Sequence, residues 1–206
     1  MKNLMLATLS AAAVLATVAP SFAEVNHITF NLEPNPKFLN CLKAPGGPTP
    51  TAEVTVLRGK QNDTMVVRLK HIKPNLAFDL FTVQHSNLLP DGLVNPTFLN
   101  FGMAWYQSDI QVDHEGNGEA QIRTILLDQI FGFDAGTGLP PTNTFHVGFW
   151  FNNPKDAEAC GFNVANPTPF NGEHKAGPLA MISVPNTTTG LGPLCTQPEP
   201  GGACHP

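Results

Sequence analysis

The chain has 206 residues and a formal net charge of −5, from 11 Lys and Arg against 16 Asp and Glu. With no basic run or patch, a nucleic-acid partner is not expected, nor is polybasic attraction to anionic lipid. The length fits one domain with a real core, and 20 Pro with 18 Gly favour short elements joined by turns.

The first segment is predicted to lie outside the fold. Lys2 supplies a short positive region, Leu4 to Val18 is rich in Leu, Ala and Val, and Ser21-Phe22-Ala23 is a small-x-small site. This pattern predicts a secretory signal peptide over 1–23, cut after Ala23. The apolar run is too short and too Ala-rich to span a membrane well, and no later run approaches a span. An exported chain, periplasmic or extracellular, is therefore expected. Four cysteines follow: Cys41, Cys160, Cys195 and Cys204. An even number in an exported chain predicts two disulfides, and no C-x-x-C spacing supports zinc instead. Of three possible pairings, the short Pro/Gly loop favours Cys195–Cys204, which leaves Cys41–Cys160.

His27 to Leu32 is the first predicted strand, with Ile28, Phe30 and Leu32 on one face and Pro34 and Pro36 ending it. Glu53 to Arg58 and Thr64 to His71 form a predicted hairpin around Gly59 to Asp63. Leu76 to Val83 is apolar on both faces and predicts a central strand. Gln84 to Asn100 is a long irregular loop, and loops of that length in compact domains are often functional.

Phe101 to Thr124 predicts a second hairpin, around which the rest of the chain is expected to be organised. Ile110 and Val112 alternate with Gln111 and Asp113, and Ala120 and Ile122 alternate with Gln121 and Arg123. Gly116-Asn117-Gly118 suits a tight turn. Asp113 opposite Glu119 would set Val112 against Ala120, Ile110 against Ile122 and Asp109 against Arg123. Ile125 to Phe133 fits a strand or a short helix. Phe145 to Phe151 predicts a buried strand. Asn153-Pro154 opens one or two helical turns, ended by Gly161. Leu179 to Val184 is the last strand, and an extended Pro/Gly tail follows. Many short strands with frequent turn signals predict an all-β fold. The expected form is an immunoglobulin-like antiparallel β-sandwich with one short helix and long Pro/Gly-rich loops. It is one domain over 24–194, with a disulfide-tied tail over 195–206.

The chemistry-bearing residues favour no catalytic centre. Ser86, Ser108 and Ser183 lie outside G-x-S-x-G, and Ser86 and His85 are neighbours that point to opposite faces of an extended chain. No H-x-H or H-E-x-x-H pair occurs, so a metal site would need long-range convergence of His85, His146 and His174. Asp113-x-Glu115-x-Asn117-Gly118 resembles the start of a calcium loop, with Glu119 as a further ligand, although Thr124 stands at the twelfth position. The plain alternative is an acidic loop in water. Trp105, Tyr106 and Trp150, with Glu173-His174 in a Gly-flanked loop, are candidates to line a sugar or peptide groove; aromatics of this kind also build sandwich cores. The expectation is a non-catalytic binding or structural module with a cell-wall, glycan or protein partner. The alternative is a metal-dependent enzyme or metal-binding protein using loop histidines. No particular cofactor or oligomeric state is indicated.

A-W-Y-Q-S-D at 104–109, F-H-V-G-F-W-F-N at 145–152 and T-P-F-N-G-E-H-K-A-G at 168–177 resemble a family of small exported bacterial β-sandwich proteins without a characterised function. The resemblance covers most of the chain after the leader. It implies a bacterial source and one β-rich domain, and brings no activity or ligand with it.

Overall fold

A computed structural model of the chain describes residues 27–59, 62–124, 144–168 and 175–195. The leader, Ile125 to Phe133, Glu173, His174 and Cys204 lie outside the described residues. The described strands are β1 His27–Pro34, β2 Thr51–Leu57, β3 Asp63–Lys70, β4 Ala77–Val83, β5 Ala104–Gln111, β6 Gly118–Thr124, β7 Thr144–Phe151, β8 Leu179–Ile182 and β9 Leu194–Cys195. Every described strand pairing is antiparallel, so the all-β expectation holds.

The strands follow one path, β5-β4-β7-β8-β1-β2-β3-β6, with β9 beside β7. β1 is the hinge of this path. Its residues His27–Leu32 pair with β2, while Glu33 and Pro34 turn onto β8. Among the described residues the two end strands are linked by an isolated bridge between Val112 and Gly118, which brings the sheet close to a barrel.

That bridge corrects the expected register of the second hairpin. β5 and β6 do not pair along their length. β5 lies against β4 with Asp79 opposite Asp109, and β6 lies against β3 with Thr64 opposite Arg123. The side-chain facing is nevertheless as expected. Ile110, Val112 and Ala120 are buried and Ile122 is partly buried against the core, while Gln111, Asp113, Gln121 and Arg123 face water. Alternation fixes which face goes inward; it does not choose the neighbouring strand.

The interior is one apolar cluster that includes Val54, Val56, Met65, Val67, Phe78, Leu80, Ile110, Val147, Phe149 and Phe151. Pro36–Phe38 forms a 3-10 turn and Leu39–Leu42 a single α turn, α1, a helical stretch beyond the one expected. The expected helix is a 3-10 stretch over Pro154–Cys160. The Asn153 side chain caps it, Pro154 opens it, and Gly161 ends it with φ of 83°. The Cys41–Cys160 disulfide joins the two helical stretches across 119 residues of sequence. No described cysteine is free, and no helix among the described residues is long and apolar enough to cross a membrane.

Candidate functional site

β7 is the key to the site, because it is buried along its whole length. A strand alternates faces, so burial on both sides requires cover on both sides. Phe145, Val147, Phe149 and Phe151 join the interior cluster. Trp150 belongs to a second apolar cluster with Val83, Leu88, Leu179 and Ile182, against which Phe81, Phe101 and Val184 pack. The long loop after β4 therefore folds back over the outer face of the sheet.

Hydrogen bonds hold that loop in place. Gln84 and His85 donate their backbone N–H to Phe101 O, both at 3.1 Å, and the Gln84 side-chain oxygen accepts from Met103 N at 2.8 Å. Within the loop, Leu88 bridges Val94, and Leu89 N donates to Leu93 O at 2.7 Å. Asn95 and Asn100 each turn Oδ1 onto a backbone N–H two residues on. Facing it, the segment after β8 closes its own turn through Asn186, which accepts from Thr188 N and Thr189 N.

Between the two segments lies a cavity of about 600 Å³, within the roughly 300–1,000 Å³ of small-molecule sites. Gln84, Ser86, Thr144 and His146 are the buried polar residues in its lining. Leu88, Leu89, Phe98, Leu99, Pro185 and Leu191 supply the apolar part. Among the described residues, no Asp, Glu, Lys or Arg lines it.

His146 is the most chemically distinctive of these residues, being only 3% exposed. Its Nδ1 lies 3.0 Å from both the carbonyl oxygen and Oγ of Ser183. A carbonyl only accepts, so Nδ1 carries the proton and Nε2 the lone pair. Burial pushes its pKa down to about 4, against the opposing hydrogen bond to Ser183, with the charge of nearby His85 lowering it further. The ring is thus neutral at ordinary pH. Ser183 Oγ also accepts from Val147 N at 3.2 Å, locking the pair.

The sequence candidates separate in space. His85 and His146 both line the cavity, whereas His174 lies outside the described residues. Among the described residues, no group of three or more His, Cys, Asp or Glu side chains is placed to hold a metal. The calcium candidates have other partners. Asp113 Oδ1 accepts from Glu115 N and Asn117 N, each at 2.8 Å, and those backbone bonds hold its pKa below the usual range. Glu119 pairs with Arg68 at 2.9 Å. Each carboxylate therefore has protein partners of its own.

The aromatic candidates do not form one groove. Trp105 packs edge-on against Phe145, with ring centroids 5.5 Å apart, and joins the interior. Trp150 is buried between Phe81 and Phe101. Tyr106 alone is 55% exposed. It packs on Phe81 and donates to Asp109 Oδ1 at 2.9 Å. Partial burial, then that hydrogen bond and the charges of Asp109 and Asp79, raise its pKa to about 12. Gln84, Ser86 and Thr144 were missed as site residues. The available signal was three polar residues bordering apolar strands. Comparison with protein families, characterised proteins and solved structures finds no match to this chain.

Proposed function

We propose that the protein is an exported, non-catalytic binding module whose ligand site is the cavity between the loop after β4 and the segment after β8. The single observation that carries this reading is the cavity itself, of about 600 Å³, built by two loops that are pinned on the outer face of a rigid sheet. Export is supported by the leader pattern over 1–23 and by the Cys41–Cys160 bridge, since disulfides persist in oxidising compartments. Placement in the family of small exported bacterial β-sandwich proteins is part of the same proposal, and it rests on the three quoted motifs. The immunoglobulin-like description of the sheet belongs to it as well; β1 serves as the corner between two halves of the strand path.

A rival reading, a metal-dependent enzyme or metal-binding protein, is kept alive by one observation: His85 and His146 line the same cavity. One experiment separates the two. Protein purified without a tag or chelator is analysed for metals, then screened by NMR against glycans and cell-wall polymers. The binding reading expects no stoichiometric metal, and ligand-induced shifts at Leu88, Phe98 and Leu191 without turnover. A stoichiometric copper, zinc or iron signal, lost on His146→Ala or His174→Ala, would establish the rival.

A further inference from the structure

Resting on the reading of the cavity as a binding site, we infer that its ligand is an uncharged, hydroxyl-bearing amphiphile that enters head first, with its hydroxyl at His146 and its apolar chain at the rim. The argument starts from the gradient along the cavity wall. Gln84, Ser86, Thr144 and His146 are 3%, 7%, 5% and 3% exposed, and with Leu88 they make a buried part of the wall that is mostly polar. Leu99 is 91% exposed, and Leu89, Phe98, Pro185 and Leu191 are partly exposed, so they form an apolar stretch of the rim beside the polar His85, Thr97 and Asn100. A mostly polar floor below a rim with an apolar stretch suits a molecule with a polar head and an apolar tail.

Charge narrows the head. Among the described residues no Asp, Glu, Lys or Arg lines the cavity; of its two histidines His146 is neutral and His85 is exposed at the edge. A charged head buried there loses its water and gains no counter-charge, which is expensive. Hydrogen-bond capacity narrows it again. Nδ1 of His146 is committed to Ser183, so its remaining nitrogen, Nε2, is an acceptor. Ser86 Oγ accepts from Leu88 N, which directs its own proton elsewhere. The Gln84 side-chain oxygen accepts from Met103 N, so the amide group it leaves is a donor. Among the described residues the floor therefore offers Nε2 of His146 as an acceptor beside the Gln84 amide and the hydroxyls as donors. A hydroxyl matches both, because it donates one bond and accepts others. A carbonyl or ether leaves Nε2 without a donor, and an ammonium leaves the donors without an acceptor. A simple alcohol and a neutral sugar head share this chemistry.

The test uses the full disulfide-bonded protein at neutral pH and four probes below their micelle concentrations: octan-1-ol, octyl β-glucoside, octanoate and octylammonium. Binding is followed by methyl shifts of Leu88 and Leu191 and by the ¹⁵N shift of His146 Nε2. One or both neutral probes should bind, about tenfold or more tighter than either ion, and should move the Nε2 resonance toward that of a hydrogen-bonded acceptor. Preference between the two neutral probes tells an alcohol from a glycolipid head. Equal or tighter binding of octanoate or octylammonium would overturn the ligand class while leaving the cavity as a binding site. Neutral probes that shift the methyls but not Nε2 would overturn the head-first orientation. No shift at any cavity residue with any probe, nor with the glycan screen, would overturn the binding reading on which the inference rests.

Discussion

Lowering the pH from 7 to 5 should destabilise this protein by about 2 kcal/mol through His146 alone. The ring is buried and neutral in the folded chain, with its pKa pushed down to about 4 from an ordinary value of 6.5. Between those values the unfolded chain binds a proton that the folded chain refuses, so acid favours unfolding. The contribution is fully present above about pH 6.5, declines as pH falls, and levels off below about 4. Its full span is about 3 kcal/mol, of which the step from pH 7 to pH 5 captures about 2. The groups that face the ring are His85 and Ser183. His85 is exposed, so solvent screens its effect on the ring. Denaturant unfolding of the disulfide-bonded protein at pH 7, 6 and 5 measures the loss. His146→Asn is the comparison, because its side-chain amide can still donate to the Ser183 carbonyl and does not titrate. It should be less stable than the parent at pH 7 through lost packing. It should lose about 2 kcal/mol less on acidification, since carboxylate contributions cancel in the difference. Identical pH profiles would refute the reasoning, and with it the neutral acceptor at the cavity floor.

Four further outcomes are expected. Tyr106 is the chain's one tyrosine; its ultraviolet titration, read by pH jump before unfolding, should centre at about 12 and move down toward the ordinary value of about 10 in Asp109→Asn. Ile110→Ala should cost about 2–5 kcal/mol in denaturant unfolding and the exposed Arg123→Ala under about 1 kcal/mol, with half-buried Ile122→Ala between them; a reversed order would sink the assigned facing. Gly116→Ala should cost about 1–3 kcal/mol, because its φ is 85° and a Cβ there would collide with the Ile72 carbonyl oxygen. Cys41→Ser should lower stability by about 2–5 kcal/mol, at the upper end because the bridge spans 119 residues, and non-reducing peptide mapping of the parent should recover the Cys41–Cys160 peptide.

The strands were legible because each carries its own evidence. Val54 and Val56 alternate with polar neighbours, and the run from Phe145 to Phe151, apolar but for His146, announces a strand covered on both faces. The capped 3-10 stretch at Asn153-Pro154 was equally local, since the cap, the Pro and the closing Gly161 sit within nine residues. What failed was partner choice at Phe101 to Thr124. Close spacing and matched alternation argue for a hairpin, yet Ile110 also fits beside Phe78, and Ala120 also fits beside Val67. A barrel-like sheet gains more by giving each strand a long partner than by pairing the two with each other, and the turn at Gly116 only has to carry the chain across the gap. The second helical stretch at Leu39–Leu42 gave no periodic signal, being too short to have one.

The site was less legible for a related physical reason. No spacing in the sequence connects Gln84 and Ser86 with His146 and Leu191, because two loops over one strand bring them together. The long loop could be marked as a place for function, but its floor belongs to β7, whose His146 stood out in the sequence only as one member of a long-range histidine set. His146 and Trp150 share the outward face of β7, four residues apart with Gly148 between them, and the loop treats them differently. Over Trp150 it lays Phe101, with ring centroids 5.1 Å apart, and closes the surface. Over His146 it leaves space, and the ring's hydrogen bonds go sideways to Ser183 instead of up into the loop. A polar ring held neutral and locked at one nitrogen beneath an open volume costs stability in acid. That cost is understandable if the other nitrogen serves a ligand.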